Sequence, residues 1–408
     1  MRVAVILLFV CLVWSEMAAQ RNCENDSTGL IPLVDLQGKQ WRGFTGGLYY
    51  NGLNTRPADH KNKALQQAAA IKPLDGNGMQ SATGKIVWIG VGASNPRTEF
   101  LRFSNQIDTM GKKNPALKLI NTCIGGQGIQ KMNVATDNYW KQAEKQLADS
   151  GLTNKQVQIA WIETDNTQTA DTTFPKAAET LRDEFRTLLQ TMRTLYPNLK
   201  LCYITARAYS GFVDLDAGAT VGRGLLHPRD YYNGWSIKML IEKQMNGDAE
   251  YAFEGALATI PFITWGSYHW TDGSKQRNDG FSIQCSTDVG GDGLHLSEAG
   301  EVKMGAQMFA YFTTDETTAP WLYKQNTSSV TEDEHTTLAL HITPQPATEN
   351  LTLNNIQVGV PIRITDILGN TIWSGVSQPQ QIVPTQTWSS GMYILQYGVH
   401  AQPFCVQH

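Results

Sequence analysis

A strand that runs into a glycine-rich turn is encoded by Lys85-Ile-Val-Trp-Ile-Gly-Val-Gly-Ala-Ser94-Asn95. Its unbroken apolar part, Ile86–Val91, is typical of a strand covered on both faces, as in a parallel sheet flanked by helices. Ligands collect at the carboxyl ends of the strands in such sheets, and Ser94 follows this strand directly. Ser94 could therefore be a nucleophile whose free backbone N–H, at the start of a helix, stabilises an oxyanion. The alternative is an ordinary helix-capping serine.

Strand-like and helix-like segments continue to alternate as far as residue 312. The further strand-like runs are Leu117–Ile120, Val157–Ile162, Leu199–Thr205 and Ile260–Trp265. The helical patterns are Thr98–Met110, Asp137–Asp149, Lys176–Leu195, Trp235–Met245 and Ser297–Phe312. Short β-rich runs between longer amphipathic segments predict βαβ units. We therefore predict a three-layer α/β/α domain with a parallel sheet over residues 85–315, on which a loop-rich extension, residues 20–84, packs.

The two ends of the chain differ from this middle part. Val3–Trp14 is apolar but too short to span a bilayer, and small residues follow it, which predicts a secretory signal cleaved after Ala19. A membrane anchor or a buried helix is the alternative. Residues 316–337 have the Thr-, Ser-, Asp- and Glu-rich composition of a linker. In residues 338–408, short β-type runs broken by turns predict a small all-β sandwich.

Composition excludes several classes of function. The 408 residues carry a formal charge of −4, which gives no basic footprint for nucleic acid. No later stretch is apolar enough to span a bilayer, so we predict no transmembrane segment in the mature chain. The sequence contains no CxxC pair, HExxH motif, P-loop or dinucleotide fingerprint, so we expect no metal and no cofactor. The cysteines that remain after signal removal are widely spaced, and we expect their reduction to matter little.

Three later segments could complete a hydrolytic site with Ser94. Gly126 lies in a glycine pair after the second strand, where backbone N–H groups can point inward, although a flexible turn is the plainer interpretation. Asn166 follows the third strand and could donate its amide or merely form an Asx-turn. Asp292 and His295 are three apart before the last helix, a spacing that lets the carboxylate orient the imidazole. A solvated loop is the alternative for this last pair.

In this order, the segments resemble the SGNH, or GDSL-like, hydrolase superfamily over about residues 85–312. The resemblance implies a flavodoxin-like fold with Ser94 as the nucleophile. It also implies that His295 acts as general base and then acid, and that Asp292 orients His295. The implied oxyanion hole consists of the Ser94 N–H, the Gly126 N–H and the Asn166 side-chain amide.

The chain departs from the superfamily pattern at two positions. Ala93 precedes the serine where the superfamily has Asp, and the third block reads Glu163-Thr-Asp165-Asn166 where the superfamily has Gly-x-Asn-Asp. Either Asp165 or Asn166 can therefore occupy the third-block position. Within the superfamily, the chain looks most like a group of uncharacterised secreted bacterial members, so the resemblance brings no substrate.

Six residues near the predicted strand ends are candidates for contact with substrate. They are Trp265, Tyr268, His269, Arg207, Tyr209 and Tyr49. The first three belong to an aromatic loop after the fifth strand, whose rings could stack on sugars or simply cover the sheet edge. The next two follow the fourth strand, and the arginine could instead pair with a carboxylate. The last follows two glycines, in a tight loop near a ligand or in an extended segment that wraps the sheet.

The C-terminal segment carries a second resemblance. It is similar to the C-terminal sorting domain of bacterial type IX secretion substrates in the motifs Thr343-Pro-Gln-Pro-Ala, Asp366-Ile-Leu-Gly-Asn and Ser390-Gly-Met-Tyr-Ile-Leu. The resemblance implies that the secretion machinery is a partner and that the protein is secreted or attached to the cell surface. A carbohydrate-binding module is the alternative for the same β-pattern.

Two functions from different classes are compatible with these patterns. The first is a secreted serine esterase that removes acyl groups, in particular acetyl groups, from a glycan or a related ester without a cofactor. The preference for a glycan rests on the superfamily, the export signal and the aromatic loops. The alternative is a non-catalytic, glycan-binding surface protein on the same scaffold, which Ala93 and the altered third block favour.

Overall fold

A computed structural model describes residues 20–215, 222–324, 341–354, 358–366, 370–378, 380–397 and 400–408. The chain forms two compact units, which divide between Gln325 and Asn326. The predicted signal peptide, residues 1–19, and residues 325–337 of the predicted linker lie outside the described residues. Among the residues that are described, no helix has both the length and the apolar character needed to cross a membrane.

The first unit is built on a five-stranded parallel sheet. Its strands are β1 (Ile86–Gly92), β2 (Leu117–Asn121), β3 (Val157–Glu163), β4 (Leu201–Ile204) and β5 (Phe262–Trp265). They lie side by side in the order β2-β1-β3-β4-β5, and every pairing is parallel. The predicted parallel sheet is therefore confirmed. In a doubly wound sheet of this order, ligands bind outside the carboxyl ends of β1 and β3, where the strand order reverses.

Helices cover both faces of this sheet. They are α1 (Ala58–Ala69), α2 (Ser94–Thr109), α3 (Asn138–Asp149), α4 (Lys176–Leu195), α5 (Arg229–Met245), α6 (Cys285–Asp288), α7 (Glu298–Thr314) and α8 (Ala319–Leu322). Short 3-10 turns lie at Tyr50–Gly52, Ile129–Lys131, Asn154–Gln156, Arg223–Leu225 and Ala249–Tyr251. Successive strand side chains point to opposite faces. Val87 and Ile89 join the core beside α3, α4 and α5, whereas Ile86 and Trp88 join the core beside α1, α2 and α7.

The extension before β1 contains more regular structure than its sequence pattern predicts. Two short strands, Gln40–Trp41 and Phe44–Thr45, pair with each other, and the helix α1 follows them. The buried face of α1 consists of His60, Ala64 and Ala68, which are spaced one helical turn apart. Alanines give this face little hydrophobic contrast, which is why the sequence pattern does not predict the helix.

The predicted linker begins too early in the chain. Residues 316–324 belong to the first unit, and Trp321 and Leu322 of α8 are fully buried in its core. The Trp321 indole N–H donates to the Thr317 carbonyl at 2.9 Å. Because one buried tryptophan removes a large apolar area from water, it outweighs the polar composition of the residues around it.

The first described residues contact two later segments of the first unit, one that follows β4 and one that precedes α7. Gln20–Arg21 pairs antiparallel with Val213–Asp214, and Cys23 forms a disulfide with Cys285 of α6. The Arg21 guanidinium donates to the carbonyl of Cys285 at 3.1 Å and to that of Val289 at 2.5 Å. The disulfide reverses the expectation that reduction of the cysteines matters little. Their sequence spacing could not reveal a pair that lies 262 residues apart.

Reduction of this disulfide is expected to lower the thermal stability of the protein. A link between residues 262 apart restricts the unfolded chain and stabilises the fold by about 3–5 kcal/mol. We expect a reductant to lower the Tm of the wild type and to leave a Cys23→Ser, Cys285→Ser double variant unchanged. Differential scanning fluorimetry with and without reductant measures both values. A wild-type Tm that does not respond to complete reduction would contradict the prediction.

The second unit consists of two antiparallel sheets. Its strands are β6 (His341–Thr343), β7 (Asn350–Asn354), β8 (Pro361–Asp366), β9 (Thr371–Val376), β10 (Gln381–Pro384), β11 (Gly391–Tyr397) and β12 (His400–Val406). One sheet has the order β6-β7-β10 and the other has the order β9-β8-β11-β12. Leu353 and Val383 from the first sheet share one buried cluster with Ile364 and Leu395 from the second. The predicted antiparallel β region is therefore confirmed, and its two sheets enclose a common core.

Candidate active site

Ser94 lies at the junction between β1 and α2. Only glycine fits at position 92, two residues before Ser94, because a Cβ there would lie 2.2 Å from the Glu163 carbonyl oxygen. Ser94 is the first residue of α2, so its N–H is among the groups that have no partner within the helix. The turn thus presents both the hydroxyl and the N–H of Ser94 at the carboxyl end of the sheet.

Ser94, His295 and Asp292 form a continuous hydrogen-bonded chain. The Ser94 Oγ lies 2.8 Å from His295 Nε2, and His295 Nδ1 lies 2.5 Å from Asp292 Oδ2. The other carboxylate oxygen of Asp292 accepts the backbone N–H groups of Leu294 and His295, at 3.0 and 2.9 Å. The short Asp-x-x-His loop therefore holds the carboxylate in place while the carboxylate orients the ring.

A residue that the sequence analysis missed joins the serine turn to this loop. The Asn95 side chain donates to the Leu294 carbonyl at 3.0 Å and accepts from the Leu296 N–H at 3.2 Å. The loop then enters α7, whose first turn is capped by the Ser297 hydroxyl. Asn95 therefore connects the Ser94 turn to the loop that carries His295. Its position directly after Ser94 was the only signal for this role.

Hydrogen bonding shifts the pKa values of the acidic and basic members in opposite directions. Partial burial alone would raise the pKa of Asp292, but hydrogen bonds from His295 and Leu294 hold it well below its usual range. The hydrogen bond to Asp292 raises the pKa of His295 above its usual value, although burial and the charge of Arg207 act against this rise. The carboxylate is therefore ionised at neutral pH and favours the protonated imidazole.

We expect the reactivity of the Ser94 hydroxyl towards an ester to follow the protonation of His295. Only the neutral imidazole can accept the Ser94 proton, so kcat/KM should rise with pH through the pKa of His295. Since that pKa is raised, the midpoint should lie above about 6.5, the ordinary value for histidine. A pH–rate profile with p-nitrophenyl acetate measures this midpoint. A midpoint at or below the ordinary value would contradict the prediction.

The glycine pair after β2 passes beside the serine. A Cβ on Gly125 would lie 4.0 Å from the Ser94 Cβ, and Gly126 has a φ of +72°, in the left-handed region that favours glycine. The Ile124 N–H donates to the Gly92 carbonyl at 2.9 Å, which fixes the start of this loop against β1. The loop is therefore close enough to the nucleophile for Gly126 to remain a candidate oxyanion donor.

The Asn166 amide makes other hydrogen bonds and does not line the pocket beside Ser94. Its Nδ2 donates to Glu184 Oε1 at 2.5 Å, and its Oδ1 accepts the N–H groups of Gln168 and Thr169 at 3.0 and 3.2 Å. This is the Asx-turn that the sequence left open as an alternative. Asp165 lines the Ser94 pocket instead of Asn166. A carboxylate cannot replace an amide as a donor to an oxyanion.

A small cavity of about 50 Å³ opens beside Ser94. Arg207 lines it, as predicted for a substrate contact, and is nearly buried. Its Nη1 donates to the Leu225 carbonyl at 2.9 Å and lies 3.9 Å from Asp165 Oδ2. The other residues that line the cavity are Ala93, Asn95, Pro96, Glu163, Thr164, Asp165, Thr167, Leu225 and Leu294. The cavity has room for a few water molecules or a small acyl group.

The other five predicted substrate contacts do not line this cavity. Tyr209, Tyr268 and His269 are buried, and the two tyrosine hydroxyls bond to the Asn25 carbonyl and the Leu33 N–H. Trp265 and Tyr49 are buried beside a different cavity of about 410 Å³. Apart from His269, these residues pack between the sheet and the extension, where burial of their large rings stabilises the fold.

Comparison with known protein families shows which class of domain the second unit belongs to. Residues 341–403 match the family described as the secretion system C-terminal sorting domain. This match confirms the sorting-domain resemblance of the tail and indicates that the protein interacts with the type IX secretion machinery. The protein is accordingly secreted or located at the cell surface, as predicted.

Part of the chain is also similar to a solved structure, that of PorZ from Porphyromonas gingivalis. It is described as an essential bacterial surface component of the type-IX secretion system. The two chains are 20% identical, the alignment covers 22% of this chain and 14% of that chain, and the TM-score is 0.17. A similarity of this size says nothing about the fold. No curated protein matches the chain.

Proposed function

We propose that the first unit is a secreted serine esterase of the SGNH hydrolase type that deacetylates a glycan or a related ester. The observation that carries the proposal is the hydrogen-bonded chain from Ser94 through His295 to Asp292. Its position supports the proposal as well, because the serine follows β1 where the strand order of the sheet reverses. These features stand in the order of the SGNH motifs along the chain.

The reaction uses the three residues in succession. His295 Nε2 accepts the proton of Ser94 while Oγ attacks the ester carbonyl, and the Asp292 carboxylate stabilises the imidazolium that forms. The Ser94 N–H and the N–H of Gly126 stabilise the oxyanion. His295 then returns the proton to the leaving alcohol. The same nitrogen activates water, which releases the acid and restores the serine.

The size of the cavity favours a short acyl group. A cavity of about 50 Å³ does not hold a long alkyl chain. Hydrolysis of p-nitrophenyl esters of increasing chain length tests both parts of the proposal. We expect kcat/KM for the acetate to exceed that for the octanoate about tenfold or more. No hydrolysis of either ester would contradict the esterase, whereas a preference for octanoate would contradict the small acyl site.

A non-catalytic, glycan-binding protein is the second candidate. The observation that favours it is the contact of the Asn166 amide with Glu184, which removes one predicted donor from the oxyanion hole. The two candidates differ in what happens to an acetylated polysaccharide. An esterase releases acetate from the polysaccharide in proportion to reaction time and enzyme concentration. A binding protein that is immobilised on a column retains the polysaccharide and releases no acetate.

Deletion of residues 338–408 is expected to separate delivery from activity. The second unit has its own buried core, and the proposed catalytic residues all lie in the first unit. In the producing bacterium, the truncated chain should not reach the cell surface or the medium, as judged by cell fractionation. Purified residues 20–337 should hydrolyse p-nitrophenyl acetate at the rate of the longer chain. Normal surface delivery of the truncated chain would contradict the prediction.

A further inference from the structure

Three ionisable side chains from distant parts of the sequence meet behind the Ser94 pocket. They are Glu99 in the second turn of α2, Glu163 at the end of β3 and His269 in the loop after β5. One ligand-type atom from each lies within 4.8 Å of the others. All three side chains are buried. Buried charges in proteins are paired or bind metal ions, and one imidazole can balance only one of the two carboxylates, so ionisation of both requires a further positive charge.

One imidazole nitrogen lies at the same distance from both carboxylates of the cluster. His269 Nδ1 lies 3.2 Å from Glu99 Oε2 and 3.2 Å from Glu163 Oε2. Neighbouring ligand atoms around a metal ion with bonds of about 2.1 Å are separated by roughly 3.0–3.4 Å. Both separations from the imidazole nitrogen therefore match those of ligands that share one ion, and the two carboxylates lie within 4.8 Å of each other.

The carboxylate of Glu99 provides an independent observation. It is fully buried, and neither of its oxygens accepts a hydrogen bond from a described residue. A buried carboxylate without hydrogen bonds is strongly destabilising unless a cation neutralises it. Glu99 points into the cluster, because its Oε2 is one of the atoms that approach His269.

The far side of the imidazole ring supplies the hydrogen bond that a metal-binding histidine usually makes. His269 Nε2 lies 2.8 Å from the Ser267 Oγ. When Nε2–H donates to this hydroxyl, the lone pair of Nδ1 faces the two carboxylates, which is favourable only around a cation. Ser267, His269 and Glu163 also repeat the atom order of a catalytic triad, but Ser267 is buried and no substrate reaches it.

We propose that Glu99, Glu163 and His269 bind one divalent transition-metal ion, Zn²⁺ or Mn²⁺. Two carboxylates balance the charge of such an ion, and a mixed set of carboxylate and imidazole ligands suits these metals. The ion joins α2, β3 and the loop after β5 directly behind the nucleophile. Its role is structural, and it is independent of the proposed esterase reaction. The sequence expectation of no metal considered only ligands with regular spacing along the chain.

Metal analysis of the full chain tests this proposal without reference to activity. The protein is purified without chelators and analysed by inductively coupled plasma mass spectrometry, then dialysed against a chelator and titrated separately with Zn²⁺, Mn²⁺ and Co²⁺. We expect about one equivalent of bound metal, a rise in Tm on its return, and a visible absorption spectrum with Co²⁺. A wild-type protein that contains no metal and binds none of these ions would overturn the proposal, since the cluster would then hold a proton only.

Two variants locate the bound ion. Glu99→Gln preserves the shape of the side chain but removes the charge, and we expect it to lose the bound metal and the Co²⁺ spectrum. Glu144→Gln makes the same change on the exposed surface of α3 and should retain both. Circular dichroism establishes that the variants are folded. Stoichiometric binding that survives in a folded Glu99→Gln protein would place the ion elsewhere and overturn the proposal.

Discussion

Asp292→Asn is expected to lower kcat by about 10³–10⁴-fold with little change in KM. The carboxylate now accepts the Nδ1 proton of His295, and an asparagine that presents its NH₂ group at this position favours the opposite tautomer. Nε2 then carries the proton and cannot accept one from Ser94. The side chain remains similar in shape, so the loss reports the protonation of the ring rather than the packing of the loop.

The matched control for this variant is Asp149→Asn. Asp149 is exposed at the end of α3 and forms a surface ion pair with Lys145. Exposed pairs of this kind contribute little, so the control should keep the wild-type kcat and Tm. Steady-state kinetics with p-nitrophenyl acetate measures both variants. If Asp292→Asn retained the wild-type kcat, Asp292 would not be the residue that orients His295.

Ser94→Ala is expected to lower kcat by about 10⁴–10⁶-fold, because the covalent intermediate can no longer form. The fold should be unaffected, since the hydroxyl makes its hydrogen bond to His295 at a partly exposed position. Binding of an acetylated oligosaccharide should persist, because the rest of the cavity is intact. Kinetics measures the first effect and calorimetry measures the second.

Ser150→Ala serves as the control, because Ser150 is exposed and its hydroxyl only bonds to the Gln146 carbonyl at the end of α3. Its rate should equal that of the wild type. A Ser94→Ala protein that hydrolyses acetyl esters at the wild-type rate would require a different nucleophile.

The parallel sheet could be predicted from sequence because its strands are buried on both faces. Ile86–Val91 is continuously apolar, Val157–Ile162 is apolar except at Gln158, and each run lies within an observed strand. The spacing of Asp292 and His295 predicted their pairing for a related reason: the contact is local, so three residues of chain determine it. Ser94 could be predicted to lie near them because it directly follows a strand, and the carboxyl ends of parallel strands meet at the same edge of the sheet.

The contacts that were not predicted depend on tertiary structure. The orientation of the Asn166 amide depends on Glu184 in a neighbouring helix, which no local pattern reveals. Cys23 and Cys285 meet only because the extension returns to the loop before α7. The sequence pattern of the aromatic residues predicted to contact substrate is the same whether their rings face solvent or the extension. Only the packing of the folded chain shows that they are buried against the extension. Short-range patterns therefore located the hydrogen-bonded residues Ser94, His295 and Asp292 better than the residues that line the cavity around them.

The most direct test of the proposed function is covalent labelling with a fluorophosphonate probe followed by peptide mapping. Such probes react with a serine only when a neighbouring base activates it, so labelling reports the Ser94–His295 contact itself. We predict about one probe per molecule, attached to Ser94 and absent from a folded Ser94→Ala variant. A wild-type protein that remains unlabelled and does not hydrolyse p-nitrophenyl acetate would contradict the serine esterase.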